Sequence, residues 1–145
     1  LGTLSGSLYD ISKATHVADN GVIMGISGPS TVNFSPFIWT VETGMVGLGD
    51  LPGGAFRSRA SSISADGSTV VGTSASRSGT EPFRWTREES MLGLGDLPKG
   101  IFSGEAAGVS ADGSVVVVDR EGAADAVAGT GDEYDSILEE IGGGW

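Results

Sequence analysis

Three separate blocks of this chain recur at one spacing, and that repetition limits the possible folds more than any other feature. Gly47-Leu48-Gly49-Asp50-Leu51-Pro52 returns as Gly93-Leu94-Gly95-Asp96-Leu97-Pro98, 46 residues later. Ser64-Ala65-Asp66-Gly67-Ser68 returns at the same spacing as Ser110-Ala111-Asp112-Gly113-Ser114. Pro36-Phe37-Ile38-Trp39-Thr40 returns as Pro82-Phe83-Arg84-Trp85-Thr86. A weaker copy opens the chain. Leu1-Gly2-Thr3-Leu4 stands for Leu48-Gly49-Asp50-Leu51, and Ala18-Asp19-Asn20-Gly21 for Ala65-Asp66-Gly67-Ser68, at an offset of 47. Independent blocks that agree on one period mark tandem structural units.

Each unit reads as four short strands. In the middle copy, Ala60 to Ser64 alternates small and apolar residues, and Asp66-Gly67 carries a two-residue hairpin signal. Thr69 to Ser74 is β-branched, Arg77 to Thr80 turns, and Pro82 to Thr86 is an aromatic strand. Strand alternation puts Phe83 and Trp85 on one face and Arg84 on the other. Glu88 to Ser90 turns again, and Met91 to Leu94 makes the fourth strand. No stretch within the repeats shows helical periodicity. Glycine supplies 25 of 145 residues, which suits tight turns and close sheet approach. A lone four-stranded sheet cannot cover both faces, so such units stack. A solenoid prefers shorter repeats, and a two-sheet sandwich needs no such period.

The expected fold is therefore all-β, with tandem four-stranded antiparallel blades forming a partial β-propeller of two to three blades and a short C-terminal helix. The repeat domain covers 1–118, with units starting near 1, 48 and 94. Closed propellers use roughly four to eight blades. The chain is thus expected to be a fragment or to close by assembly, with self-association through blade edges. Because it starts at Leu1, a leader or larger N-terminal part is expected to precede it.

The blocks Leu-Gly-Asp-Leu-Pro-Gly-Gly (48–54), Ile-Ser-Ala-Asp-Gly-Ser-Thr-Val-Val-Gly (63–72) and Phe-Arg-Trp-Thr (83–86) resemble the HAF repeat. This bacterial repeat occurs in extracellular proteins and in some autotransporter passenger regions. The resemblance spans residues 1 to 117. It implies a propeller-like β fold and an extracellular or cell-surface location. It implies no catalytic activity, so no active-site residues carry over. The third copy departs from the pattern: Val118 stands where Gly25 and Gly72 stand, and no Phe-x-Trp-Thr follows.

Residues 119–145 form a separate region, expected to be an acidic linker followed by a short amphipathic helix. Eight acidic residues and Arg120 fall here, against 11 acidic and 7 basic residues in 1–118. Thr130 and Glu133 have capping-box spacing. Tyr134, Ile137, Leu138 and Ile141 lie on one helical face, Asp132 and Asp135 suit its N-terminus, and Gly142 its stop. So short a helix caps a blade edge, frays, or docks on a partner. The break near Val117 reads as a join of unrelated sequence or a change of reading frame.

The chemistry offered is thin. A net charge of -11 argues against nucleic acid or an anionic membrane as partner. No apolar run approaches the roughly 18 residues of a membrane span. The lack of cysteine removes disulfides, thiolate metal sites and a Cys nucleophile. His16, the only histidine, has no Gly-x-Ser-x-Gly partner and reads as solvated or packed. No catalytic or metal-ligating residues and no cofactor are assigned, and ligand-binding residues stay open. Asp66 and Asp112 suit turns better than calcium, whose loops need a spaced ligand ladder. Asp50 and Asp96 read as turn residues, with ligand contact the alternative. Glu88 and Glu89 are adjacent, so on a strand they would point oppositely. Gly47-x-Gly49 and Gly93-x-Gly95 lack the Lys and helix of a phosphate loop. Trp39 and Trp85 could stack sugars, but one aromatic per unit at a fixed position suits a core. The function expected is a non-catalytic extracellular or cell-surface repeat protein for adhesion, scaffolding or self-assembly. A glycan- or small-ligand-binding lectin-like propeller is the first alternative, and a hydrolase the second. Partners are then other copies of the chain, or a surface glycan or protein.

Overall fold

In a computed structural model the described residues are 2–4, 10–29, 33–55, 57–95, 104–120 and 123–128. All regular structure among them is β. One sheet holds β1 (Ile11–Val17), β2 (Ile23–Gly28), β3 (Ser35–Thr40) and β4 (Gly44–Gly47). The next holds β5 (Ser58–Ile63), β6 (Thr69–Ser76), β7 (Gly79–Thr86) and β8 (Ser90–Gly93). The third holds β9 (Glu105–Val109), β10 (Val115–Arg120) and β11 (Ala123–Ala128). In every sheet, strands adjacent in sequence pair antiparallel.

Two local expectations need correction. The Asp66-Gly67 loop is not a two-residue hairpin. The Ser64 amide donates to the Thr69 carbonyl and the Gly67 amide to the Ser64 carbonyl, so a turn over residues 64–67 leads into β6. Gly67 takes the left-handed conformation, φ 70°, at its end. Residues 119–128 are not a linker either. Asp119 and Arg120 finish β10, and Ala123 to Ala128 pair with it along its whole length. Alanine and aspartate are poor strand formers, so composition hides β11, but pairing satisfies the backbone edge of the valine-rich β10. The expected helix over 130–142, and Asp96, lie outside the described residues.

The first strand of each unit carries an extra residue, recurring every 46 positions. Thr15 in β1 and Ser61 in β5 have no partner in the ladder, and in β9 Ala107 is skipped between Ala106 and Gly108. Such bulges raise local twist. Opposite them the backbones come close. A Cβ on Gly72 would lie 2.0 Å from the Arg59 carbonyl oxygen, and one on Gly25 would lie 2.3 Å from that of Lys13. Across the next strand Gly25 pairs with Phe37 and Gly72 with Phe83. In the third unit Val118 occupies this position, is buried, and pairs with Asp125.

The sheets bury their faces against one another. Met24, Ile38 and Leu48 of the first unit meet Ala60, Val70, Phe83 and Trp85 of the second, with Leu51 from the connection. Val71 of the second unit meets Ala106, Val116 and Val118 of the third. Val70 and Val71, adjacent in β6, thus serve opposite seams, as strand alternation requires. Leu48 and Leu94 leave the fourth strands identically, their amides donating to Pro36 and Pro82 carbonyls.

One turn carries strain. Ser90 adopts φ 60°, where the first unit has Gly44 at φ 67°. A non-glycine residue there costs roughly 1–2 kcal/mol, and glycine gives some of that back through a freer unfolded chain. Ser90→Gly is expected to stabilise the protein by about 0.5–1 kcal/mol in urea titration. A destabilised variant would contradict the strain.

Candidate functional site

The recurrent polar residues join units. In each Ser-Ala-Asp-Gly-Ser turn one carboxylate oxygen gathers three donors. Asp66 Oδ1 accepts from the Ser64 hydroxyl and from the Ser68 amide and hydroxyl, at 3.0 Å and 2.8 Å for the latter two. Asp112 Oδ1 accepts from the equivalent groups of Ser110 and Ser114. The serine hydroxyls in turn accept the Thr69 and Val115 amides. The turns are also bonded to each other. The Asp19 amide donates to the Ala65 carbonyl at 2.9 Å, and the Asp66 amide to the Ala111 carbonyl at 3.2 Å. Asn20 Nδ2 adds a bond to the Asp66 carbonyl at 2.6 Å. The sequence period is thus also a hydrogen-bond ladder running from unit to unit.

Hydrogen bonding to the charged form lowers these aspartates' pKa values. Ser110 first, then Ser114, hold Asp112 at about 2 against the ordinary 3.8, and Ser64 and Ser68 lower Asp66. A depressed folded pKa adds stability that is present above the unfolded value and lost as pH falls through the folded one. The thermal midpoint of the wild type is therefore expected to drop between about pH 4 and pH 2. An Asp66→Asn/Asp112→Asn variant should drop less over that window; an equal drop would mean that these carboxylates contribute nothing.

Asp50 clasps the connection between the first and second sheets. Its carboxylate accepts from the Ser58 hydroxyl, which lies 2.7 Å from that of Ser74. The Leu51 amide donates to Ser74 Oγ at 3.2 Å, and both serines are fully buried. The same clip recurs one unit earlier, from the Leu4 amide to Ser27 Oγ. The sequence suggests a turn role for Asp50 but contains no sign of its partner Ser58 or of Ser74 behind it.

Arg84 was placed by alternation opposite Phe83 and Trp85. It lies beside Val71 and Leu92, and its Nη1 pairs with Glu89 Oε2 at 2.6 Å. Its Nε is buried without a hydrogen-bond partner. Trp85 is buried in the first seam, whereas its counterpart Trp39 is only half-buried.

A cleft of about 580 Å³ crosses the first strands of all three units. Lys13 of β1, Arg59 of β5 and Glu105 of β9 line it at repeat-equivalent positions, with His16, Thr15 and Ser61. The three charged side chains are exposed, and among the described residues no ion pair joins Glu105 to Lys13 or Arg59. Two cations and one carboxylate are thus left to meet solvent or a ligand. A second, more apolar groove of similar size lies by Leu4, Ser27, Phe34 and Ala55 at the clip of the first unit. Among the described residues no three His, Cys, Asp or Glu side chains are grouped to hold a metal ion.

No family model and no curated protein matches the chain. A solved structure, TolB from Acinetobacter baumannii, superposes with a TM-score of 0.54 over 81% of this chain, at 17% sequence identity. The chain spans 29% of the length of that TolB chain. At this identity the likeness is one of fold alone, between this all-β chain of successive antiparallel sheets and a stretch of a longer protein.

Proposed function

We propose that this chain is a non-catalytic repeat scaffold of the cell exterior, a partial β-propeller of the HAF-repeat kind that works by self-assembly. The turn ladder carries the reading. The residues that recur most faithfully, Asp66, Asp112 and their serines, are engaged in turns that bond one unit to the next. Asp50 is likewise engaged in a clasp. A chain whose repeated polar groups serve unit-to-unit contact is built to extend a stack rather than to cradle a substrate. The extracellular placement rests on the resemblance of the repeat blocks. Light scattering coupled to size exclusion tests the reading. A mass that rises with concentration above 14.6 kDa is expected, and a strict monomer throughout the micromolar range would contradict it.

The cleft favours a second reading, a module that binds an acidic glycan. Lys13 and Arg59 have no carboxylate partner among the described residues and would meet uronate or sulfate groups, while Thr15 and Ser61 would meet hydroxyls. Calorimetric titration with a carboxylated oligosaccharide should show binding that Arg59→Ala removes; no heat with either protein would dispose of this reading.

A further inference from the structure

We propose, resting on the self-assembly reading, that a second copy of this chain docks head to tail, through sheet faces rather than sheet edges. The trailing face of its third sheet covers the leading face of the first sheet here. The seam between the first and second units shows what such a face requires. There Ala60, Val70, Phe83 and Trp85 are buried, and Ile63 and Met91 pack against them. Their repeat equivalents in the first unit are Ala14, Ile23, Phe37, Trp39, Val17 and Met45. The cross-strand register is the same, with Ile23 facing Trp39 and Trp39 facing Met45, as Val70 faces Trp85 and Trp85 faces Met91. Yet Ala14 is exposed, Val17 is 69% exposed and Trp39 half-buried. Only Phe37 is fully covered.

The first unit is further prepared for a predecessor. Leu4 lies against Gly47 as Leu51 lies against Gly93, and Leu4 makes the same clip to Ser27 that Leu51 makes to Ser74. The half of the seam supplied by the connecting segment is in place, and among the described residues no sheet supplies the other half. At the other end the complementary deficit occurs. Met24 and Val71 point into the seams that follow their units and are fully buried, whereas Val117, at the same position in the third unit, is 36% exposed. One end thus offers the leading half of a seam and the other the trailing half. Two unlike, mutually complementary surfaces on one chain give a heterologous contact, which propagates until a ring closes or a filament grows. The existing seams give the occupant: a sheet of this same repeat, available in solution on every other copy.

Mixing two blocked variants tests this. Val17→Glu blocks the leading face at an exposed position, and Val117→Glu blocks the trailing face. Both additions are negative, so attraction between them cannot restore binding. Each variant alone is expected to be monomeric by sedimentation velocity, at a concentration where the wild type assembles. Their equimolar mixture is expected to form a dimer and nothing larger, because each supplies the face that the other lacks. A mixture that stays monomeric while the wild type assembles overturns the head-to-tail contact and leaves self-assembly standing. Variants that assemble like the wild type overturn it in the same way, and a monomeric wild type overturns both readings. Trp39→Glu is a second leading-face block, to be used should Val17→Glu lose its cooperative melt.

Discussion

Replacing Gly72 with alanine is expected to cost about 3 kcal/mol, at the upper end for overpacking, since what it meets is backbone. The added Cβ would lie 2.0 Å from the Arg59 carbonyl oxygen and 2.7 Å from the Ala60 Cα. Neither can rotate away. The first strand of the unit must move, and with it go the bulge at Ser61 and the seat of Ala60 in the seam. At roughly 2–4 °C per kcal/mol for a domain of this size, the melting temperature should fall by around 10 °C. Gly108 is the control: among the described residues no atom beyond its chain neighbours lies within 4 Å of an added Cβ. Gly108→Ala should be neutral or slightly stabilising through the unfolded chain. Urea midpoints at constant m-value decide it, and equal effects at the two glycines would mean that the close approach is absent.

Phe83→Ala is the other large effect. Its ring is wholly buried in the first seam, cross-strand from Gly72, and its removal leaves a cavity that the glycine cannot fill. Loss of a buried phenylalanine costs roughly 3–5 kcal/mol, a large part of the ~5–15 kcal/mol that holds most domains folded. Partial unfolding at room temperature is the expected outcome, with Trp85 emission moving to the red as its seam loosens. Val41→Ala, at a side chain 82% exposed, should change stability by less than about 0.5 kcal/mol. A Phe83→Ala protein that melts within a few degrees of the wild type would mean that the seam is not the core.

The parts of the fold that the sequence shows are those governed by local rules. Strand alternation places Phe83 and Trp85 together on one face and Arg84 on the other; Phe83 and Trp85 lie together in the first seam, and Arg84 sits between Val71 and Leu92. The period located the sheets because each copy repeats the same turn chemistry. What stayed hidden depends on distant partners. Nothing near Asp66 in sequence indicates that its amide reaches Ala111, and nothing near Asp50 points to Ser58 and Ser74. β11 was missed because its alanines carry no strand preference and its place is set by the edge of β10. Trp39 and Trp85 read identically in sequence and differ in burial, because one has a sheet laid over it and the other has none among the described residues. The cleft at Lys13, Arg59 and Glu105 was equally silent, since its residues share only a position in three successive units.

Amide hydrogen exchange at three equivalent turn residues tests unit-to-unit stacking most directly. Asp19, Asp66 and Asp112 are all exposed, and ordinary exposed turns exchange quickly. The Asp19 and Asp66 amides donate to the turn of the next unit, whereas Asp112, in the third unit, has no following turn among the described residues. Asp19 and Asp66 should exchange at least tenfold more slowly than Asp112, and Phe83→Ala should abolish the difference at Asp19. Equal, rapid exchange at all three would show that the units do not lean on one another.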